Sequence, residues 1–116
     1  MPGFRRGDIV KVPFPYTDRA TRQFRPALVV AAENEADPRG LLWVLMITTA
    51  QNRGWQGDVA VGGSAATGLP VASVVRTAKI ATIDSSDAAP LGKAPAAVRR
   101  KVLARVAERL GLQERD

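Results

Sequence analysis

Two β-branched, apolar runs set the strongest limit on what this chain can fold into. Residues 26–32 (PALVVAA) and 41–49 (LLWVLMITT) each read as a buried strand, and the turn between them carries Asn34, Asp37, Pro38 and Gly40. Neither run approaches the roughly 20 apolar residues needed to cross a bilayer. Trp43 lies inside the second run and is expected in the core. If the two strands are neighbours, Arg25 at the mouth of the first and Thr48 near the end of the second meet at the rim of one sheet.

Weaker strand signals surround this pair. Residues 9–14 follow a turn at Arg6-Gly7-Asp8, and Pro13 suits an edge or a strand end. Residues 15–24 read as a polar, basic loop, 51–57 as a second loop, and 58–61 as a short strand. Residues 62–70, rich in Gly, Ser and Thr, read as a flexible connection. Residues 72–76 and 79–83 read as two short strands broken near Thr77, and 84–95 as a loop. One helix is predicted over residues 95–110. Val98, Val102, Val106 and Leu110 recur every four positions with Leu103 beside them, Pro95 suits the first turn, and Gly111 suits the C-cap. Short strands at close spacing plus one terminal helix predict a mainly β fold, a compact antiparallel barrel with the helix as a lid. The 116 residues predict a single domain over 1–116.

Composition narrows the chemistry. With no cysteine and no histidine, thiol nucleophiles, disulfides, proton-shuttling histidine pairs and His- or Cys-ligated metal sites are all excluded. The acids are scattered, so no cofactor and no metal are expected. Catalysis, if any, falls to Arg, Lys, Thr, Ser, Tyr or an isolated carboxylate. Seventeen Lys+Arg against 11 Asp+Glu give a formal charge of +6 and a pI near 10.8. That balance fits a nucleic-acid partner, whose phosphates release counterions to basic groups, but also an acidic protein partner or a surface kept basic for solubility. Asp8 and Lys11 interrupt any apolar stretch after Arg5 and Arg6, so no secretory leader is expected and a cytoplasmic protein is.

Arg25 immediately before a buried strand faces either an acid or an anionic ligand, because an unpaired guanidinium is costly to bury. Spacing leaves both open, and Asp18 and Asp58 are the acids that could pair with it. The helix arginines Arg99, Arg100, Arg105 and Arg109, with Lys101, form either a solvated face or a grip on nucleic acid.

Five blocks then occur in order: Arg6-Gly7-Asp8-Ile9-Val10, Arg25-Pro26-Ala27-Leu28-Val29-Val30, Ile47-Thr48-Thr49, Gly68-Leu69-Pro70 with Ser73-Val74-Val75-Arg76, and Thr82-Ile83-Asp84. In this order the chain resembles the MazF/PemK family of toxins from bacterial toxin–antitoxin pairs. The resemblance implies a dimeric SH3-like barrel of the MazF/PemK/CcdB type that cleaves single-stranded RNA at short motifs without a metal. The ribose 2′-OH attacks its own phosphate, leaving a 2′,3′-cyclic phosphate and a 5′-OH. It further implies an acidic antitoxin as partner, a homodimer, and growth inhibition as the outcome. Arg25 and Thr48 match the family's catalytic arginine and threonine, and Arg76 matches a second arginine that some members use to hold the phosphate.

The remaining candidates follow from position. Gln51, Asn52, Arg53 and Trp55 come just after the catalytic strand, where amide, guanidinium and indole groups can read and stack unpaired bases. Trp55 equally suits a dimer interface or the core. Some members carry a glutamate before the catalytic arginine and an aspartate two residues after the second arginine. Here those positions offer no glutamate and Ala78, which leaves Asp18 as the candidate base or as a simple turn residue. A non-catalytic gyrase poison of the CcdB type and an RNA-binding relative are the alternatives. The C-terminal Leu112-Gln113-Glu114-Arg115-Asp116 lacks the aromatic residue on which the gyrase poisons depend.

Overall fold

The two long apolar runs fold as adjacent antiparallel strands. The computed structural model describes residues 3–13, 24–33 and 39–112. Among the described residues are strands β1 (Asp8–Pro13), β2 (Phe24–Ala32), β3 (Leu41–Thr49), β4 (Val59–Val61), β5 (Ser73–Asp84) and β6 (Ala89–Lys93), followed by helix α1 (Ala96–Leu110). The strands form one antiparallel sheet in the order β4-β5-β3-β2-β1-β6. It curls into a half-barrel with the helix packed against β4 and β5. The mainly β architecture with a single C-terminal helix is the expected one.

Curling explains why antiparallel strands carry unbroken apolar runs, since both faces of the sheet become covered. Leu28, Val30, Leu45 and Ile47 enter one core with Ile9, Val61, Val75 and Val102. The alternate residues Ala27, Val29, Leu42 and Val44 enter a second with Val10, Val12 and Ile83. Helix α1 closes the first core with Val102, which is fully buried, and with Val98, Leu103 and Val106 at its margin. Its C-cap is Gly111 in the left-handed region at φ 73°, as the cap signal implies. Leu110 does not join the stripe and is exposed.

Four expectations are corrected. The strands expected at 72–76 and 79–83 are one, β5: the ladder passes from Leu45↔Ile80 to Met46↔Arg76, so Thr77, Ala78 and Lys79 bulge without ending it. The 84–95 loop contains β6. Pro90 and Gly92 depress its strand signal, yet it is the outermost strand beside β1, where a missing N–H is tolerated. The 62–70 connection is tightly built around Thr67, which is 1% exposed. The Thr67 hydroxyl accepts from the Ser64 and Leu69 N–H groups and lies 3.2 Å from the Gly62 carbonyl oxygen. Trp43 is 51% exposed rather than in the core. Period two places Leu41 and Trp43 on the face of Leu45 and Ile47, but at this end of the strand they line an open depression with Ala31 and Ala32.

Candidate active site

The register of the two long strands builds the site. Ala27 of β2 lies opposite Met46 of β3 as the last pair of that ladder, and Arg25 and Thr48 each lie two residues beyond it, at the same rim. On the other side of β3, Thr48 lies opposite Val74 and Thr49 opposite Ser73 of β5. These strand ends and the 69–71 segment enclose an open depression of about 490 Å³. Its walls include Arg25, Thr48, Thr49, Asn52, Pro70 and Val71. Arg25 is exposed and Thr48 half-buried, so a cation and a hydroxyl face the same space.

Thr48 is oriented by the turn that follows it. The chain leaves β3 through a single 3-10 turn, Ala50–Asn52, tied to the sheet by the Ala50 N–H bond to the Ala72 carbonyl at 3.0 Å. That turn carries Asn52 back toward the strand, and its side-chain amide donates to Thr48 Oγ1 at 2.9 Å. A hydroxyl has one hydrogen and two lone pairs, so accepting this bond leaves its hydrogen free to donate elsewhere.

The other predicted site residues separate into a second group. Arg76 does not line the depression. Its Nε and Nη2 donate to Asp58 Oδ1 and Oδ2 at 3.3 and 3.0 Å, and Nη2 also donates to the Asn52 carbonyl. The guanidinium carbon sits 4.3 Å from the Trp55 ring centroid, and Lys79 Nζ is 5.5 Å from it. Trp55 is therefore half-exposed beside a cation, not a core residue. Arg53 turns back on its own loop, donating to the Ala50 carbonyl at 2.9 Å, and Gln51 is exposed. Asp58, one of the acids considered for Arg25, is the partner of Arg76. Asp18 lies outside the described residues. Among the described residues, no three His, Cys, Asp or Glu side chains converge to hold a metal ion.

Two contributions escaped the sequence. Asp58 carries no motif, and its pairing with Arg76 joins residues 18 positions apart. Of the wall at Leu69, Pro70 and Val71, the first two were visible only as part of a family block, and Leu69 is held by the Thr67-centred knot.

A family model described as a PemK-like, MazF-like toxin of type II toxin-antitoxin systems matches residues 5–111. The chain belongs to this toxin family. No curated protein sequence matches it. Among solved structures, MazF from Deinococcus radiodurans superposes with a TM-score of 0.71 at 23% identity, covering 94% of this chain and 97% of that one. The MazE-MazF complex of the same organism gives 0.69 at 24% identity, covering 94% and 96%. An endoribonuclease in complex with its cognate antitoxin from a mycobacterial species gives 0.70 at 23% identity, covering 95% and 97%. At these identities the MazF structures speak for the fold, and the family match for membership.

Proposed function

We propose that this PemK/MazF-like toxin is an endoribonuclease that cuts single-stranded RNA at short sequence motifs by internal transesterification. The observation that carries the reading is the meeting of Arg25 and Thr48 in one open depression at the rim of β2 and β3. Similarity to a mycobacterial endoribonuclease bound to its antitoxin supports it.

The substrate brings its own nucleophile, so the protein's work is positioning and charge stabilisation. The ribose 2′-oxygen loses its proton and bonds to the adjacent phosphorus. The bond to the 5′-oxygen then breaks, and that oxygen gains a proton. Between these events the phosphorane carries an extra negative charge. Arg25 supplies a fixed cation against that charge. The Thr48 hydroxyl, engaged as acceptor by Asn52, donates its hydrogen to a non-bridging oxygen. Trp55, half-exposed at the loop, offers a stacking surface for an unpaired base. Arg5, Arg6 and Arg99, with the Lys93–Asp8 ion pair, line a separate depression of about 500 Å³ and offer further positive charge to a polyanion. The partners are RNA, an acidic antitoxin that covers the basic surface, and a second copy of the chain, in the cytoplasm.

Purified protein incubated with mixed RNA in EDTA is expected to give discrete fragments bearing 5′-OH ends. Intact RNA, RNA binding without turnover, or cleavage unchanged in Arg25→Ala would overturn the proposal. Gyrase arrest without RNA loss would favour the gyrase-poison alternative.

A further inference from the structure

We infer that Asp58 and Arg76 are positioning residues that act on Thr48 through Asn52, and that Arg76 is not a phosphate ligand. This rests on the ribonuclease reading of the Arg25–Thr48 depression.

The hydrogen bonds of Arg76 define its job. Its single Nε hydrogen and both Nη2 hydrogens are engaged, by the two Asp58 oxygens and by the Asn52 carbonyl. Its guanidinium carbon lies over the Trp55 ring. The Arg76 and Asp58 side chains are only 11% and 8% exposed. Only Nη1 is left to donate, and turning the guanidinium toward a phosphate would give up a paired, desolvated carboxylate. The carboxylate, 3.0 Å away, also cancels most of the pull that the cation would exert on a distant anion.

What the pair does instead is clasp a loop. Residues 51–56 are exposed and have little core contact of their own. Arg76 grips this segment near its start, at the Asn52 carbonyl, and just beyond its end, at Asp58. Asp58 Oδ2 accepts from the Trp55 N–H at 3.2 Å, and Thr77, the residue after Arg76, donates its hydroxyl to the Gly57 carbonyl at 2.8 Å. The clasp fixes the Asn52 backbone, and with it the amide that donates to Thr48 Oγ1. A continuous line of contacts thus runs from Asp58 through Arg76 and Asn52 to the hydroxyl at the site.

The test is steady-state cleavage of an RNA oligonucleotide by the full chain, using Asp58→Asn and Asn52→Ala, each alone and combined with Thr48→Ala. Loss of positioning should lower kcat by about 10- to 100-fold with KM near the wild-type value. In the Thr48→Ala background the same substitutions should add less than about twofold, because they act through the missing hydroxyl. A merely structural role predicts equal losses in both backgrounds, and a phosphate-ligand role predicts that Asp58→Asn frees Arg76, lowers KM and steepens the salt dependence. Either result overturns the inference. If Asp58→Asn does not fold, Asn52→Ala at its exposed loop position decides alone, and a wild-type kcat there is fatal. Cleavage that needs Thr48 but ignores both Asp58 and Asn52 removes the positioning role only. Absence of cleavage by the wild-type chain removes the ribonuclease reading and this inference with it.

Discussion

Asn52 donates its side-chain amide to Thr48 Oγ1 across 2.9 Å, so the hydroxyl at the rim is engaged as an acceptor before any ligand arrives. The bond joins the last residue of a 3-10 turn to the strand that precedes it. It makes Thr48 a directed donor and gives the site a defined polarity.

That polarity separates two substitutions at the same position. Thr48→Ser keeps the hydroxyl and should retain kcat for RNA cleavage within about tenfold, whereas the near-isosteric Thr48→Val should lose about 10²–10³. Arg25→Lys keeps the charge but not the planar fork, and should lose at least about tenfold. Single-turnover rates on a defined oligonucleotide read all three.

The Asp58–Arg76 pair makes a stability prediction that does not depend on activity. Asp58→Ala leaves a largely buried guanidinium uncompensated and should destabilise the chain by about 3 kcal/mol in urea unfolding. Asp58→Ala combined with Arg76→Met should destabilise it by less than the sum of the two single changes, since no charge is then stranded.

Gly68 should not tolerate alanine. Its φ is +75°, and an added Cβ would fall 2.2 Å from the Leu91 carbonyl oxygen in β6. Gly68→Ala should therefore cost about 2 kcal/mol or more of stability. Displacing the neighbouring Leu69–Pro70 wall should also raise KM for RNA relative to Gly62→Ala, whose Cβ meets nothing within 4 Å.

Asp84 is a source of acid sensitivity. The Ser86 backbone N–H, and then the Ser86 hydroxyl, donate to its carboxylate at 2.9 and 2.8 Å, holding its pKa below the ordinary value. The folded chain thus binds this proton more weakly than the unfolded one. The contribution to stability is full above the ordinary carboxylate range and is lost as pH falls through the depressed folded value. Urea midpoints between neutral pH and about pH 3 should fall less steeply for Asp84→Asn than for the wild type.

How far the sequence could be read differs by element. Long β-branched runs, a four-residue apolar repeat and Gly111 report on their own residues, and β2, β3 and α1 were accordingly legible. β6 was not, because a strand with Pro90 and Gly92 is stabilised by the neighbour it pairs with, not by its own propensity. Trp43 was misplaced for a similar reason. Periodicity tells which face a residue takes, but only tertiary packing decides how much of that face is covered.

The candidate site divides along the same line. Sequence alone determined which residues could do chemistry: without histidine or cysteine, Arg25 and Thr48 stood out by family motif and by their places at strand mouths. Tertiary structure alone decided what surrounds them. Asp58 chose Arg76 rather than Arg25, and Asn52 turned toward Thr48. These choices depend on strand register, a bulge in β5 and the closure of one loop, all set by contacts between residues far apart in the chain. Local sequence encodes the groups a residue carries, whereas partners are selected by geometry and by the cost of burying a charge without one.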